Sequence, residues 1–184
     1  MRILAFSGSL RRDSYNTGLL RCAQALAPAG VEIEIYDGMR AIPPFDDDDA
    51  QAGVPFAVAS LKEAIAEADA LLFATPEYNG SIPGCLKNLI DWASRPRDTT
   101  PLLNKPVAVI GASTGMFGAV WAQADLRKVL GLTGARVIGE ELPVGRAQDA
   151  FVGGELAAPE TRDGVVAAVE ALEDAVRERV RLAA

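Results

Sequence analysis

A short polar segment near the N-terminus contains the residues best suited to bind a ligand. Its polar and aromatic side chains are those of Ser9, Arg11, Arg12, Asp13, Ser14, Tyr15 and Asn16. The segment follows an apolar run, Arg2–Phe6, and precedes a run with helical periodicity, Thr17–Ala27. Hydroxyl and guanidinium groups beside the free backbone N–H groups of a helix N-terminus suit a phosphate. The alternative is a helix capped by Ser14 or Asn16 with both arginines in solvent, and this segment alone does not separate the two interpretations.

A second segment, residues 75–84, has a composition that suits a flat ring. It contains a carboxylate, an aromatic ring and an amide in succession, at Glu77, Tyr78 and Asn79. Its glycines permit close approach of the backbone, so the loop could present N–H groups to the edge of a heteroaromatic ligand. The alternative is an ordinary turn before a helix that begins at Pro83.

Five strand-sized apolar runs, separated by helix-sized segments, organise these loops. The runs are Arg2–Phe6, Val31–Tyr36, Ala70–Thr75, Pro106–Ala112 and Ala135–Gly139. Apart from the second, they are almost continuously apolar, as expected of strands buried on both faces. Alternation of strands and helices predicts a three-layer α/β/α fold around a five-stranded parallel sheet in the flavodoxin-like order 2-1-3-4-5. We expect one domain over residues 1–184.

Ligands of such a sheet bind outside the carboxyl ends of its strands, so the loops after the first, third and fourth strands are expected to meet. The last of these loops, residues 111–118, is rich in glycine and carries hydroxyl groups on Ser113 and Thr114. It leads into a helix whose apolar face is marked by Trp121, Leu126, Val129 and Leu130.

Two other segments are irregular. The acidic run Asp46–Asp49 is predicted to be a solvated loop, and residues 143–160 a surface lid or a subunit contact.

Composition excludes several classes of function. The net charge of −7 argues against nucleic acid or an anionic membrane as the main partner. No apolar run could cross a membrane and no signal peptide is recognisable, so we expect a cytoplasmic protein. Cys22 and Cys85 are far apart, which indicates free thiols and fits a reducing compartment. The absence of histidine excludes a His-dependent triad and a His-ligated zinc site, so an enzyme of this composition would rely on a cofactor.

The first loop lacks the two common nucleotide-binding motifs. Leu10 and Asp13 stand where G-x-G-x-x-G would have its second and third glycines after Gly8. The Lys-containing G-x-x-x-x-G-K-[ST] motif is also absent. A dinucleotide-binding Rossmann fold and a P-loop hydrolase therefore lose support, and a single phosphate held by hydroxyls, backbone and arginine gains it.

Three segments together resemble the NAD(P)H-dependent FMN reductase family, which includes bacterial quinone, chromate and azo-dye reductases. The segments are residues 8–16, 76–84 and 86–92, with Gly-Ser-Leu-Arg, Pro-Glu-Tyr-Asn-Gly-Ser-Ile-Pro-Gly and Leu-Lys-Asn-Leu-Ile-Asp-Trp as their matching residues. The resemblance covers nearly the whole chain in order and spacing. It implies non-covalent FMN, NADH or NADPH as co-substrate, and quinones, chromate, ferric complexes or azo compounds as acceptors. It also implies a homodimer or homotetramer with flavin sites at the subunit interface.

The resemblance further implies roles for individual residues. Those that would hold the phosphate are Ser9, Arg11, Ser14, Tyr15 and Asn16. Those that would line the isoalloxazine ring are Pro76, Glu77, Tyr78 and Asn79. Those that would border the flavin or its ribityl chain are Ser113, Thr114 and Gly115. No catalytic acid or base is assigned, which suits a chain without histidine, and the role of Arg12 stays open.

Two alternatives to a reductase belong to other classes of protein. One is a flavodoxin-type electron carrier, which binds FMN and a protein partner without turnover of nicotinamide. The other is a flavodoxin-like interaction module that binds no flavin. The arginine of the first loop and the 78–84 loop favour the reductase. Neither the choice between NADH and NADPH nor the physiological acceptor can be read from the sequence.

Overall fold

A parallel sheet lies at the centre of the protein. The computed structural model describes residues 1–183, and the strands of this sheet are β1 (Arg2–Ser7), β2 (Glu32–Ile35), β3 (Ala70–Thr75), β4 (Pro106–Ala112), β5 (Arg136–Val137) and β6 (Leu142–Val144). The strand order is β2-β1-β3-β4-β5, and each of these pairings is parallel. The predicted flavodoxin-like order is therefore confirmed, with β6 as an additional strand beside β4.

Helices cover both faces of the sheet. They are α1 (Tyr15–Leu26), α2 (Asp47–Ala52), α3 (Phe56–Glu67), α4 (Gly84–Ala93), α5 (Val120–Leu132), α6 (Ala147–Ala150) and α7 (Pro159–Ala183), with short 3-10 turns at Gly38–Ala41 and Arg97–Thr99. Every residue of β3 and β4 is buried, as their continuous apolar character predicts. One apolar cluster joins the sheet to α1 and α7, and a second joins its other face to α3, α4 and α5. This is the predicted three-layer arrangement.

The outer edge beside β4 differs from the prediction. A continuous fifth strand over Ala135–Gly139 was expected, but β5 pairs with the start of β4 and stops at Val137. Gly139 then takes a left-handed φ of +69°, which leads the chain away from the sheet. Pairing resumes at β6, which lies beside Ile110–Ala112. Two short strands therefore replace one. The break between them depends on the backbone conformation at Gly139, which the apolar character of the run does not reveal.

The acidic run was predicted to be a loop, and this is wrong. Asp46 is the N-cap of α2, and its carboxylate accepts hydrogen bonds from the N–H groups of Asp48 and Asp49 at 2.8 and 3.4 Å. Asp47, Asp48 and Asp49 occupy the first turn, where negative charge is favourable. The run is nevertheless exposed, as predicted.

Residues 143–160 contain regular structure that the sequence did not predict. Pro143 and Val144 belong to β6, α6 follows, and β7 (Phe151–Val152) pairs antiparallel with β8 (Glu155–Leu156). This β7–β8 hairpin turns at two glycines with left-handed φ angles, Gly153 and Gly154. Within residues 1–183, no helix is both long enough and apolar enough to span a membrane.

Candidate functional site

A cavity of about 240 Å³ lies at the carboxyl ends of β1, β3 and β4, where the topology predicts a ligand. It is lined by Ser9, Arg11, Ser14, Tyr15, Asn16, Pro76, Glu77, Tyr78, Ala112, Ser113 and Thr114. Ten of the twelve residues predicted to bind the cofactor are in this lining. Asn79 and Gly115 are not, and Ala112 is a lining residue that the sequence analysis missed.

The first loop ends in a capped helix whose N-terminal groups remain available. Ser14 is the N-cap of α1, and its hydroxyl accepts a hydrogen bond from the N–H of Thr17 at 3.3 Å. The N–H groups of Tyr15 and Asn16 lie in the first turn, where no intrahelical acceptor exists. The two interpretations of this segment are therefore compatible, because the cap satisfies one N–H and leaves the positive end of the helix beside the cavity.

Asn16 uses its side chain within the protein. Its Nδ2 donates to the carbonyl of Ala112 at 2.9 Å, and its Oδ1 accepts from the N–H of the same residue at 2.9 Å. The side chain is buried and joins the start of α1 to the end of β4. Any contact of Asn16 with a phosphate would therefore come from its backbone N–H.

Arg11 lies over an aromatic ring at the mouth of the cavity. Its guanidinium carbon is 5.2 Å from the centroid of the Tyr15 ring, and one of its nitrogens donates to the carbonyl of Asp13. The Tyr15 ring in turn contacts Phe151, with the centroids 5.5 Å apart. Arg12 is exposed and is not among the residues that line the cavity.

The second loop is a tight turn. The N–H of Tyr78 donates to the carbonyl of Ser81 at 3.0 Å, and the N–H of Ser81 donates back at 3.2 Å. Asn79 and Gly80 have φ angles of +53° and +76°, which is the backbone of a type I′ turn and explains the Asn-Gly pair. Asn79 is exposed at the tip of this turn, outside the cavity, while Tyr78 lines it.

The N-terminal half of α5 holds this turn in place. The carboxylate of Glu77 accepts hydrogen bonds from the N–H groups of Trp121 and Ala122 at 3.1 and 3.3 Å. One turn further on, Asp125 accepts a hydrogen bond from the hydroxyl of Ser81 at 2.8 Å. Glu77 therefore serves as a helix cap for α5, and one of its carboxylate oxygens, Oε2, is occupied by backbone donors.

The third loop is held by a segment that the sequence analysis left unassigned. The N–H of Ser113 donates to the carbonyl of Val144 at 3.0 Å, and the N–H of Arg146 donates to the carbonyl of Gly115 at 2.9 Å. Gly145 lies so close to the loop that a Cβ there would collide with the carbonyl oxygen of Met116. Residues 144–147 thus support the wall of the cavity formed by Ser113 and Thr114.

Gly8 permits the first and second loops to approach each other. Its N–H donates to the carbonyl of Ala74 at 2.8 Å, and a Cβ at this position would be 2.9 Å from Cδ of Pro76. On the other side of the same loop, the thiol of Cys85 lies 3.5 Å from the carbonyl oxygen of Gly8. Burial raises the pKa of the Cys85 thiol. Cys22 and Cys85 are free thiols, as predicted, although both are only partly buried.

Two residues of the Leu-Lys-Asn-Leu-Ile-Asp-Trp motif fasten a neighbouring segment to α4. The amide of Asn88 and the indole N–H of Trp92 donate to the carbonyl of Pro43, at 2.8 and 2.9 Å. The oxygen of Asn88 accepts from the N–H of Phe45 at 2.7 Å. This part of the motif therefore supports the fold beside the first loop and does not reach the cavity.

Aromatic and apolar side chains are exposed next to the cavity. Tyr78, Met116, Phe117 and Trp121 are between 51% and 64% exposed, and the rings of Phe117 and Trp121 are 5.1 Å apart. The prediction that Trp121 lies on the buried face of its helix is wrong, because the buried side chains of the first turn are those of Ala122 and Gln123. We call these four residues the apolar patch.

A larger cavity of about 430 Å³ lies between α4 and α5, and it is lined by none of the predicted residues. Its lining includes Lys87, Asp91, Arg95 and Arg97. Lys87 is already paired with Asp91 at 2.7 Å, and Arg95 donates to Ser94. Volume alone therefore does not identify the functional site, whereas its position at the carboxyl edge of the sheet does.

The groups around the smaller cavity fit a flavin mononucleotide. One side offers uncapped helix N–H groups, the hydroxyl of Ser9 and the guanidinium of Arg11, which suit a phosphate. The other offers the apolar ring of Pro76 and the ring of Tyr78, which suit a flat heteroaromatic group. The acidic residue of the lining is Glu77, and its carboxylate faces the N–H groups of α5.

Comparison with known proteins agrees with this chemistry. The sequence profile of the NADPH-dependent FMN reductase family matches residues 1–149. An NAD(P)H-dependent FMN reductase from Pseudomonas aeruginosa is 43% identical over 179 residues, which cover 96% of this chain and 96% of that protein. A quinone reductase from Escherichia coli K12 is 40% identical over 139 residues, or 75% of this chain and 73% of that one.

A solved structure shows the same relationship in three dimensions. FerB from Paracoccus denitrificans, a flavoenzyme NAD(P)H:(acceptor) oxidoreductase, superposes with a TM-score of 0.83 at 35% identity. The match covers 96% of this chain and 97% of FerB. The resemblance inferred from the sequence is thus confirmed, and with it the class of FMN-dependent oxidoreductase in preference to an electron carrier or a module without flavin. The chain belongs to the NADPH-dependent FMN reductase family.

Proposed function

We propose that this cavity binds FMN non-covalently and that the protein passes electrons from NADH or NADPH to a small-molecule acceptor. The observation that carries the proposal is the meeting of two elements at one edge of the sheet. Tyr15 and Asn16, in the first turn of α1, line the same cavity as Arg11 and as Tyr78, the first residue of the type I′ turn. Each element alone has a structural explanation, whereas their convergence on one cavity suits a ligand that has both a phosphate and a ring.

Within this proposal, the residues divide by the part of FMN that they contact. The backbone N–H groups of Tyr15 and Asn16, the hydroxyls of Ser9 and Ser14, and the guanidinium of Arg11 hold the phosphate. The backbone of residues 76–79 and the ring of Tyr78 accommodate the isoalloxazine. Ser113 and Thr114 border the ribityl chain together with Ala112, and Gly115 follows them just outside the lining.

When bound, FMN supplies the capacity to take two electrons from a nicotinamide and to pass them to a second substrate. The chain supplies binding, orientation and backbone donors. Oε2 of Glu77 accepts hydrogen bonds from the N–H groups of Trp121 and Ala122, so this side chain positions the turn. The hydroxyl-bearing ring of Tyr78 is half-exposed, which leaves room for a nicotinamide or a quinone to reach the same face in turn.

We further propose that this single FMN-binding domain, residues 1–184, works as a homodimer or homotetramer in the cytoplasm. The cavity volume of about 240 Å³ is smaller than the roughly 300 Å³ at which enclosed ligand pockets begin. Part of the flavin would therefore lie outside it, against Tyr78. The apolar patch adjoins this position, and a second subunit placed there would cover both. Light scattering after size-exclusion chromatography measures the oligomeric state, and a monomer at micromolar concentration would contradict this part.

Turnover assays test the enzymatic proposal. Purified protein is loaded with FMN and mixed with NADH or NADPH, first without an acceptor and then with a benzoquinone, chromate, ferric citrate or an azo dye. We expect oxidation of the nicotinamide that accelerates with a quinone. FMN-loaded protein that oxidises neither nicotinamide would exclude the reductase activity, and apoprotein that takes up no FMN would exclude the site.

A further inference from the structure

Three side chains from two distant parts of the chain are in contact beside the cavity. The guanidinium of Arg11 lies 5.2 Å from the centroid of the Tyr15 ring. The ring of Phe151 is a second neighbour of Tyr15, with the centroids 5.5 Å apart and the ring planes inclined by 31°. Arg11 and Tyr15 line the cavity, whereas Phe151 does not. Phe151 also lies beyond residue 149, where the family match ends.

The β7–β8 hairpin fixes the position of Phe151. Phe151 pairs with Leu156, which is 1% exposed, and the N–H of Ala157 donates to the carbonyl of Ala150 at 3.0 Å. Gly153 and Gly154 form the turn with φ angles of +61° and +91°. The hairpin is therefore anchored at its base and presents the aromatic ring at a defined place against α1.

A glycine inside α1 provides the space for this ring. A Cβ at Gly18 would lie 3.0 Å from Cε1 of Phe151, so a larger residue would press on the ring. Glycine in a helix interior is destabilising relative to alanine. Gly18 thus lowers the stability of α1 at the point where the Phe151 ring packs. We interpret the contact between Gly18 and Phe151 as a specific feature of the fold.

We propose that Phe151 is a positioning residue for the flavin phosphate, and that it acts by holding the Tyr15 ring on which Arg11 rests. This inference depends on the proposed function, because it assigns Arg11 to the phosphate of FMN. A long arginine side chain loses rotamer freedom when it binds, and a preformed ring platform reduces that loss. Without Phe151 the Tyr15 ring loses this aromatic contact, and the guanidinium that rests on it is held less firmly near the helix N-terminus.

Comparison of FMN with riboflavin tests the proposal, because riboflavin has the same ring and ribityl chain but no phosphate. Flavin fluorescence titrations of the apoprotein give both dissociation constants for the unaltered protein and for Phe151→Ala, Phe151→Tyr and Val152→Ala. Val152 is the matched control, since it lies on the same hairpin and is 66% exposed. We expect Phe151→Ala to weaken FMN binding roughly three- to tenfold, the scale of a lost aromatic and cation–π contact.

The same variant should bind riboflavin with unchanged affinity, which also shows that it is folded. Phe151→Tyr retains the ring and should restore FMN binding, and Val152→Ala should bind like the unaltered protein. Equal losses for FMN and riboflavin would overturn the proposal by showing a general structural effect. Unchanged FMN binding in Phe151→Ala would overturn it too. Failure of the unaltered protein to bind FMN would instead refute the proposed function, so the two failures are distinguishable.

A second measurement uses the reciprocity of coupled equilibria. If Phe151 supports the phosphate contact, bound FMN must in turn stabilise the β7–β8 hairpin. Hydrogen exchange of residues 150–157 should slow with saturating FMN and slow less with saturating riboflavin. Equal protection by the two flavins would contradict the proposal even if Phe151→Ala were too unstable to purify.

Discussion

Asn16 and Ala112 are joined by two hydrogen bonds, one in each direction and each 2.9 Å long. They connect the first turn of α1 to the last residue of β4. The first turn of α1 presents the helix N–H groups, and the end of β4 leads into the Ser113–Thr114 loop. The two hydrogen bonds therefore fix the separation between these two walls of the cavity. Asn16 is 3% exposed, so solvent does not replace these bonds easily.

Removal of this amide should destabilise the fold. We expect Asn16→Ala to lower the free energy of unfolding by roughly 2–4 kcal/mol, because it leaves two buried backbone groups without partners. Urea denaturation of the FMN-free protein measures the change. Gln148→Ala, which removes an exposed amide, is the control and should cost less than about 0.5 kcal/mol. Similar stabilities for the two variants would show that the Ala112 groups find other partners.

Arg11 should contribute directly to flavin affinity. We expect Arg11→Ala to weaken FMN binding by roughly 1.5–3 kcal/mol, the scale of a charge-assisted hydrogen bond. Arg12→Ala is the matched control, because Arg12 is exposed and does not line the cavity. Fluorescence titration with FMN measures both, and equal affinity of Arg11→Ala and the unaltered protein would show that Arg11 is merely solvated.

Glu77 should act as a helix cap and not as a proton donor. Glu77→Ala removes the acceptor for Trp121 and Ala122, and we expect a loss of roughly 0.5–2 kcal/mol in stability. Glu77→Gln keeps an acceptor oxygen and should retain most quinone reduction at saturating substrate. A loss of about a hundredfold or more in kcat for Glu77→Gln would instead indicate general acid catalysis.

The Cys85 thiol should resist alkylation at neutral pH. Burial raises the pKa of Cys85, so its thiolate fraction at a given pH is below that of a free cysteine. In a Cys22→Ser background, the rate of reaction with iodoacetamide should rise with pH. The pH at the midpoint of this rise should be above the midpoint for free cysteine measured in parallel. A midpoint at or below that of the free amino acid would contradict the prediction.

The same shift has a consequence for stability. The folded protein holds the thiol proton more tightly than the unfolded chain does. The corresponding contribution to stability is therefore complete below the pKa of the unfolded chain and is lost as the pH rises through the raised pKa of Cys85. Unfolding midpoints of the Cys22→Ser protein and of a Cys22→Ser, Cys85→Ala double variant should converge as the pH rises through that range.

Much of the arrangement around the cavity is encoded in local sequence. Continuous apolar runs predict β3 and β4 because both faces of these strands are covered. The parallel topology then brings the polar loops after β1, β3 and β4 to one edge, so their residues can be predicted to meet before any distance is known. Asn79 lies outside the lining because it is at the tip of the type I′ turn that follows Tyr78.

The features that escaped prediction depend on contacts between distant residues. Trp121 has the apolar character of a buried residue, but its side chain is exposed and its N–H is bound by Glu77, forty-four positions earlier. The N–H of Leu142 in β6 donates to the side chain of the fully buried Gln123 at 3.1 Å, which no periodicity of residues 135–145 could reveal. Phe151 has its partner in α1, and a search for motifs in either segment alone would not connect them.

The interruption between β5 and β6 also limits how the sheet can meet another protein. An unbroken edge strand would offer a row of N–H and C=O groups to an incoming strand. Here that row is divided into two-residue and three-residue pieces, and Pro143 has no N–H to offer. At the opposite edge, β2 has four residues and exposes Glu32 and Glu34. Both borders of the sheet thus discourage strand addition and amyloid-like stacking, so association between copies of this chain must rely on side-chain surfaces of helices and loops.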